Sequence, residues 1–112
     1  MAEKGTPHFI FQRVTALVMV PLTVWFVASL IAHSGDSRME LMEWIAHWHV
    51  AVPLSILLLA GFFHMRLGIE VVIDDYIHKP DTRGMLHFLN TLFALILGAI
   101  AVWSVIAITL IV

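Results

Sequence analysis

The sequence predicts an all-α membrane protein with three transmembrane helices, and three observations carry that reading. Of its 112 residues, 61% are apolar and only 12% charged, against about 45–50% and about 25% in an ordinary soluble domain. Three runs free of Asp, Glu, Lys and Arg, of 22, 22 and 29 residues, extend from Val14 to Gly35, Trp44 to Met65 and Gly84 to Val112. A helix needs about 20 apolar residues to cross the hydrocarbon core. None of the runs alternates as a membrane barrel strand does. Helices are therefore expected over 14–33, 49–73 and 86–111, in one domain of residues 1–112.

The same composition excludes a soluble globule, a disordered tail and a nucleic-acid binder, which would want a basic face. A net charge of −2 leaves no polybasic stripe for acidic lipid. Cysteine is absent, so a disulfide, a thiolate-held metal or cluster and a cysteine nucleophile are all excluded from this chain.

The first span is too long for a secretory h-region. It also lacks a small-x-small site before the polar loop, since Ala32-His33-Ser34 fits poorly, so it reads as a retained helix. No Arg-rich transit segment stands ahead of it, which favours a bacterial membrane over a mitochondrial one. Pro21 falls inside this span and is expected to kink it, and Pro53 is expected near the first turn of the second, where its missing N–H costs least. Lys4 and Arg13 precede the first span and Lys79 and Arg83 lie in the second loop, whereas the first loop holds Arg38 among Asp36, Glu40 and Glu43. The positive-inside rule then puts the N-terminus and the second loop in the cytoplasm. Trp44, His47, Trp48 and His49 fit an interfacial belt at the outer end of the second span. His47-x-His49 has no third ligand nearby to make a metal site.

The second span is the unusual one. It carries His64, Arg66, Glu70, Asp74, Asp75 and Tyr76, and ionisable groups at membrane depth are expensive and mark function. Eleven residues make three turns plus about 20°, so His64 and Asp75 share a face, about 16 Å apart along the axis, with Gly68 and Val71 between them. Gly68 has no side chain there, leaving room for a flat, bulky group. Arg66 and Glu70, four apart and off that stripe, are placed to neutralise each other. An imidazole here suits either a haem iron or a helix–helix hydrogen bond. A phenol at the boundary suits either a quinone carbonyl or an interfacial anchor, and Asp74 and Asp75 could simply end the span in a solvated loop. His33, His78 and His87 read as interfacial. The third span carries Thr91, Ser104 and Thr109 without a motif, which reads as packing.

The run from His64 to His78, with Gly68 four residues after the histidine and Asp75-Tyr76 eleven and twelve after it, resembles the membrane-anchor D subunits of succinate dehydrogenase, respiratory complex II. Gln12-Arg13-Val14-Thr15-Ala16, followed by Pro21-Leu22, is similar to the start of the first helix in alphaproteobacterial members. The resemblance covers nearly the whole chain. It implies that His64 is one axial ligand of a b-type haem, the second coming from the partner C anchor of the complex. It implies that Arg13 pairs with a haem propionate, that Gly68 belongs to the haem-binding stripe, and that Tyr76 hydrogen-bonds a ubiquinone carbonyl, with Asp75 tuning it. It further implies a hetero-oligomer with an iron–sulfur subunit and a flavoprotein subunit, joined at the cytoplasmic loop near Asp75–Arg83, in a bacterial inner membrane. Such a complex links the tricarboxylic acid cycle to electron transport. This chain would be catalytic only within it. Two expectations follow for the site: Arg13 and Tyr76 both stand at cytoplasmic helix ends, so that haem edge and quinone head share one pocket between helices from two chains, and Lys79 pairs with Asp75 if the helix runs that far. A haem-free structural anchor and the anchor of a fumarate reductase are the alternatives. A proton-coupled carrier built on Arg66, Glu70 and Asp74 is disfavoured, because three short helices offer little room for alternating access.

Overall fold

The computed structural model describes residues 2–112, with side chains from Pro7 onward. Four helices follow one another: α1 over Ala2–Ala32, α2 over Arg38–Ala46, α3 over Trp48–Tyr76 and α4 over Pro80–Ile111. Three stretches are long and apolar enough to span a membrane, Pro7–Ala32, Trp48–Tyr76 and Pro80–Ile111. The three expected helices are thus present, but α1 and α4 begin earlier and α3 ends later than hydropathy indicates. Polar residues close the window in which a segment is apolar. They do not close a helix, and at 1.5 Å per residue α4 runs about 48 Å, well beyond a core of about 30 Å.

The fourth helix, α2, is an addition to the expected three. It lies in the first loop and starts at a capping box: Ser37 Oγ accepts from the Glu40 backbone N–H at 3.2 Å, while the Ser37 N–H donates to Glu40 Oε2 at 3.3 Å. The Ser-x-x-Glu spacing that builds it is a known sequence signature of a helix start. His47, in extended conformation, separates α2 from α3. Its carbonyl accepts from Val50 and Ala51 N–H at 2.9 and 2.8 Å, which opens α3. Pro53 therefore sits in the second turn of α3 rather than the first, because the helix starts at Trp48, and the carbonyl of His49 loses an intrahelical donor.

Pro80 is the first residue of α4. A residue before proline is steered away from helical dihedrals, and Lys79 is extended. That breaks the chain between α3 and α4. Lys79 consequently lies outside α3, and among the described residues it makes no ion pair with Asp75.

α3 is the axis of the packing. α1 runs antiparallel along one flank and α4 along the other, and the two flanking helices do not approach each other; α2 folds across α3 and α4. The core is small. Ala51, Leu54 and Val105 cluster at the α2 end, packed against Trp25, Phe26, Ile45 and Leu58, and Leu67, Ile73 and Ala94 are buried farther along. α1 has no buried residue in its apolar stretch. Its outer surface presents Leu17, Val20, Val24 and Ile31, each more than 60% exposed. A row of large apolar side chains of this kind is stable only against lipid or other helices.

Candidate functional site at the α1–α3 seam

Polar groups on α1 and α3 meet along one seam. His8, Gln12 and Thr15 recur at spacings of four and three residues and so share the face of α1 turned to α3. At the seam the His8 Nε2–H donates to the Leu67 carbonyl at 3.0 Å, and His8 Nδ1 stands 3.4 Å from Glu70 Oε2. Thr15 Oγ1 lies 2.8 Å from His64 Nδ1. A Cβ on Gly68 would meet Gln12 Nε2 at 3.7 Å, and one on Gly61 would meet Met19 at 3.8 Å. The small residues of α3 thus admit α1 side chains, and the open face expected at Gly68 is shared with the Gln12 amide.

Beside this seam an open groove of about 520 Å³ is lined by Phe9, Gln12, Arg13, Ala16, Leu17, Val20 and His64. The Arg13 guanidinium lies 4.7 Å from the centre of the Phe9 ring, a cation–π contact. Among the described residues Arg13 has no carboxylate partner. Gln12 Oε1 is buried without a hydrogen-bond partner. A half-turn of that amide would aim its NH₂ at the same place instead. The groove therefore combines apolar walls, one imidazole edge, one always-charged guanidinium and an unsatisfied amide. That donor set fits a flat, apolar, anionic-edged group with a metal centre.

The structure brings His64 and Arg13 together but places Asp75 and Tyr76 elsewhere. Arg13 is not at a helix end: α1 begins at Ala2, and the antiparallel register sets Arg13 near the level of His64 and Gly68. Asp75 and Tyr76 are the last residues of α3, about 18 Å beyond His64 in the case of Tyr76. Tyr76 is 76% exposed, and neither residue lines the His64 groove. Within this chain Arg13 and Tyr76 do not line a common groove; the pocket expected to join them takes helices from two chains, of which this is one.

A second polar cluster ties α3 to α4. Arg66 pairs with Glu70 at 3.2 Å, as their spacing implies, and the Arg66 Nε–H also donates to Thr91 Oγ1 at 3.1 Å. Asn90, the one buried polar residue among those described, donates to the Arg66 carbonyl at 3.0 Å. Asp74 does not end the span. It lies within α3 and accepts from His87 Nε2–H of α4 at 2.7 Å. At the opposite end the His33 Nδ1–H donates to Asp36 at 2.6 Å, with the His33 ring 4.4 Å from that of Trp44. Sequence reasoning missed His8, Thr15 and Asn90. The polar stripe at 8, 12 and 15 was a signal for the first two, whereas Asn90 stands alone in an apolar helix.

Comparison with known proteins gives a consistent picture. The family of succinate dehydrogenase/fumarate reductase transmembrane subunits matches residues 1–111. The chain is similar to the succinate dehydrogenase hydrophobic membrane anchor subunit of Rickettsia bellii, 29% identical over 96 residues that cover 85% of this chain and 76% of that one. The subunit of the same name from Paracoccus denitrificans is 26% identical over 106 residues, covering 95% of this chain and 75% of its own. The succinate dehydrogenase membrane anchor subunit of Reclinomonas americana is 27% identical over 96 residues, covering 83% and 80%. No solved structure matches the chain.

Proposed function

The chain belongs to the succinate dehydrogenase/fumarate reductase transmembrane subunit family, and on that premise we propose that it is the membrane anchor of a succinate:ubiquinone oxidoreductase. In that role it contributes one axial ligand to a b-type haem and part of a ubiquinone site. The observation that carries the haem assignment is the groove lined by both His64 and Arg13, the latter without a carboxylate partner among the described residues. Imidazole nitrogen is a good axial ligand for haem iron, and a haem would supply an electron relay in the membrane. His64 Nε2 binds it. Arg13 would neutralise a propionate that would otherwise be costly at this depth, while Gly68 stands beside the groove, under the Gln12 side chain, rather than in its lining.

The groove covers one side only, which suits a site completed by a histidine from a second anchor subunit. The exposed apolar row on α1 is the surface such a subunit would cover. Tyr76, at the end of α3 and open to its surroundings, donates to a quinone carbonyl at the membrane boundary, and Asp75 sets the local charge. In this reading the N-terminus and the α3–α4 loop face the cytoplasm of a bacterial cell. There they meet the iron–sulfur subunit, which is joined in turn to the flavoprotein.

An optical difference spectrum of the gently solubilised complex, succinate-reduced minus oxidised, tests the reading. A b-type haem band that His64→Ala abolishes or alters is expected. No band with succinate or with dithionite would remove the haem role. The 2.8 Å contact of His64 with Thr15 favours a second reading, a haem-free anchor in which His64 only ties α1 to α3. A normal haem spectrum in an assembled His64→Ala complex would favour it.

A further inference from the structure

We infer that Thr15 is a positioning residue for His64, holding its imidazole in the tautomer that leaves Nε2 free to bind a metal. The inference rests on the haem ligation proposed above and names the group that orients the ligand.

The hydroxyl hydrogen of Thr15 decides the tautomer. Thr15 Oγ1 has one hydrogen and lies 2.8 Å from the Phe11 carbonyl and 3.0 Å from the Gln12 carbonyl. A threonine within a helix readily gives its hydroxyl hydrogen back to such a carbonyl, and in that arrangement Oγ1 is left as an acceptor towards α3. The third contact of the same oxygen, to His64 Nδ1 at 2.8 Å, can then be satisfied only if the ring donates. In that arrangement the His64 ring carries its proton at Nδ1, and the lone pair of its neutral form is at Nε2. That is the form an axial ligand needs. A histidine that ligates a metal through one nitrogen almost always donates the other N–H to a fixed acceptor, which sets ring orientation and raises basicity. Here the acceptor comes from a neighbouring helix, on a β-branched side chain whose rotamer is tied by its own backbone bond. The hydrogen bond thus couples the α1–α3 seam to the metal-binding edge.

The test uses the solubilised four-subunit complex carrying Thr15→Val, which is nearly the same shape but has no acceptor, and Thr15→Ser, which keeps the hydroxyl. Haem transfer to excess apomyoglobin, the midpoint potential of the haem and its low-temperature electron paramagnetic resonance spectrum are read for each. The expected result for Thr15→Val is loss of haem about 10- to 100-fold faster and a midpoint potential above that of wild type, because a less basic imidazole stabilises the oxidised iron less. Thr15→Ser should restore both. Where valine blocks assembly, Thr15→Ala removes the acceptor without a methyl group against the ring. Wild-type haem retention, potential and resonance spectrum in an assembled Thr15→Val or Thr15→Ala complex would overturn the role of Thr15 while leaving haem ligation intact. An unaltered haem in His64→Ala would instead overturn the ligation, and the inference with it.

Discussion

The Arg66–Glu70 pair puts two opposite charges inside a span, and its neutralisation makes a quantitative prediction. The midpoint of α3 is residue 62, so Arg66 lies about 6 Å and Glu70 about 12 Å towards the Tyr76 end. Both then fall within a half-core of about 15 Å when the helix is centred in the bilayer. An unpaired charge at mid-span costs about 2.5–3.5 kcal/mol, and less towards the interface. The two side chains are 29% and 20% exposed and their nitrogen and oxygen are 3.2 Å apart. At 4 Å such a pair gains about 1 kcal/mol in water and about 4 kcal/mol at an effective dielectric of 20. Desolvation offsets part of this. Removing either partner alone, by Arg66→Met or Glu70→Gln, leaves Glu70 with only the His8 ring or Arg66 with only the Thr91 hydroxyl beside it, and should cost about 2 kcal/mol. Removing both should cost little more than the worse single change, a coupling of about 1–2 kcal/mol. A double-mutant cycle read from sodium dodecyl sulfate titrations of the solubilised complex, following release of this chain, measures it. Additive single effects would refute the reasoning, since independent charges need no partner.

Four further outcomes follow from the geometry. Ser37→Ala removes the capping box of α2 and should cost about 1 kcal/mol, seen as faster backbone hydrogen exchange over 38–46. Asn90→Leu takes away a buried hydrogen bond to the Arg66 carbonyl and should destabilise the α3–α4 contact by about 1 kcal/mol, in the same titration. Gly68→Ala meets Gln12 only at ordinary contact distance, so the folded complex should tolerate it; a loss above about 2 kcal/mol would show that the seam is tighter than described. Tyr76→Phe should leave assembly and haem content unchanged, because the exposed hydroxyl holds no partner among the described residues, while lowering quinone reduction by succinate; unchanged turnover would remove Tyr76 from the quinone site.

Much of this fold was legible because hydropathy is a local property. Three charge-free runs imply three membrane helices whatever surrounds them, and a spacing of four residues brings Arg66 to Glu70 on any helix. The common face of His64, Gly68 and Asp75 follows from helical periodicity in the same way. The α2 helix was written in Ser37-x-x-Glu40 but lay outside the apolar windows that organise the reading. The expected Lys79–Asp75 pair failed for an equally local reason, since Pro80 starts α4 and forces Lys79 out of α3.

Composition and spacing therefore dictate the solvent this chain lives in, the number of its spans, the faces of α3 and, through the spaced His64, Gly68, Asp75 and Tyr76, the family it resembles. Helix packing, in contrast, selects which residues answer one another across helices. His8 with Leu67, Thr15 with His64, Asn90 with Arg66 and Asp74 with His87 are separated by 59, 49, 24 and 13 residues. It also sets Arg13 level with His64 while Tyr76 stands apart from both. The physical reason is that periodicity fixes where a side chain points on its own helix. Which neighbour it meets depends on the register of two helices, which here brings Met19 and Gln12 of α1 over Gly61 and Gly68 of α3.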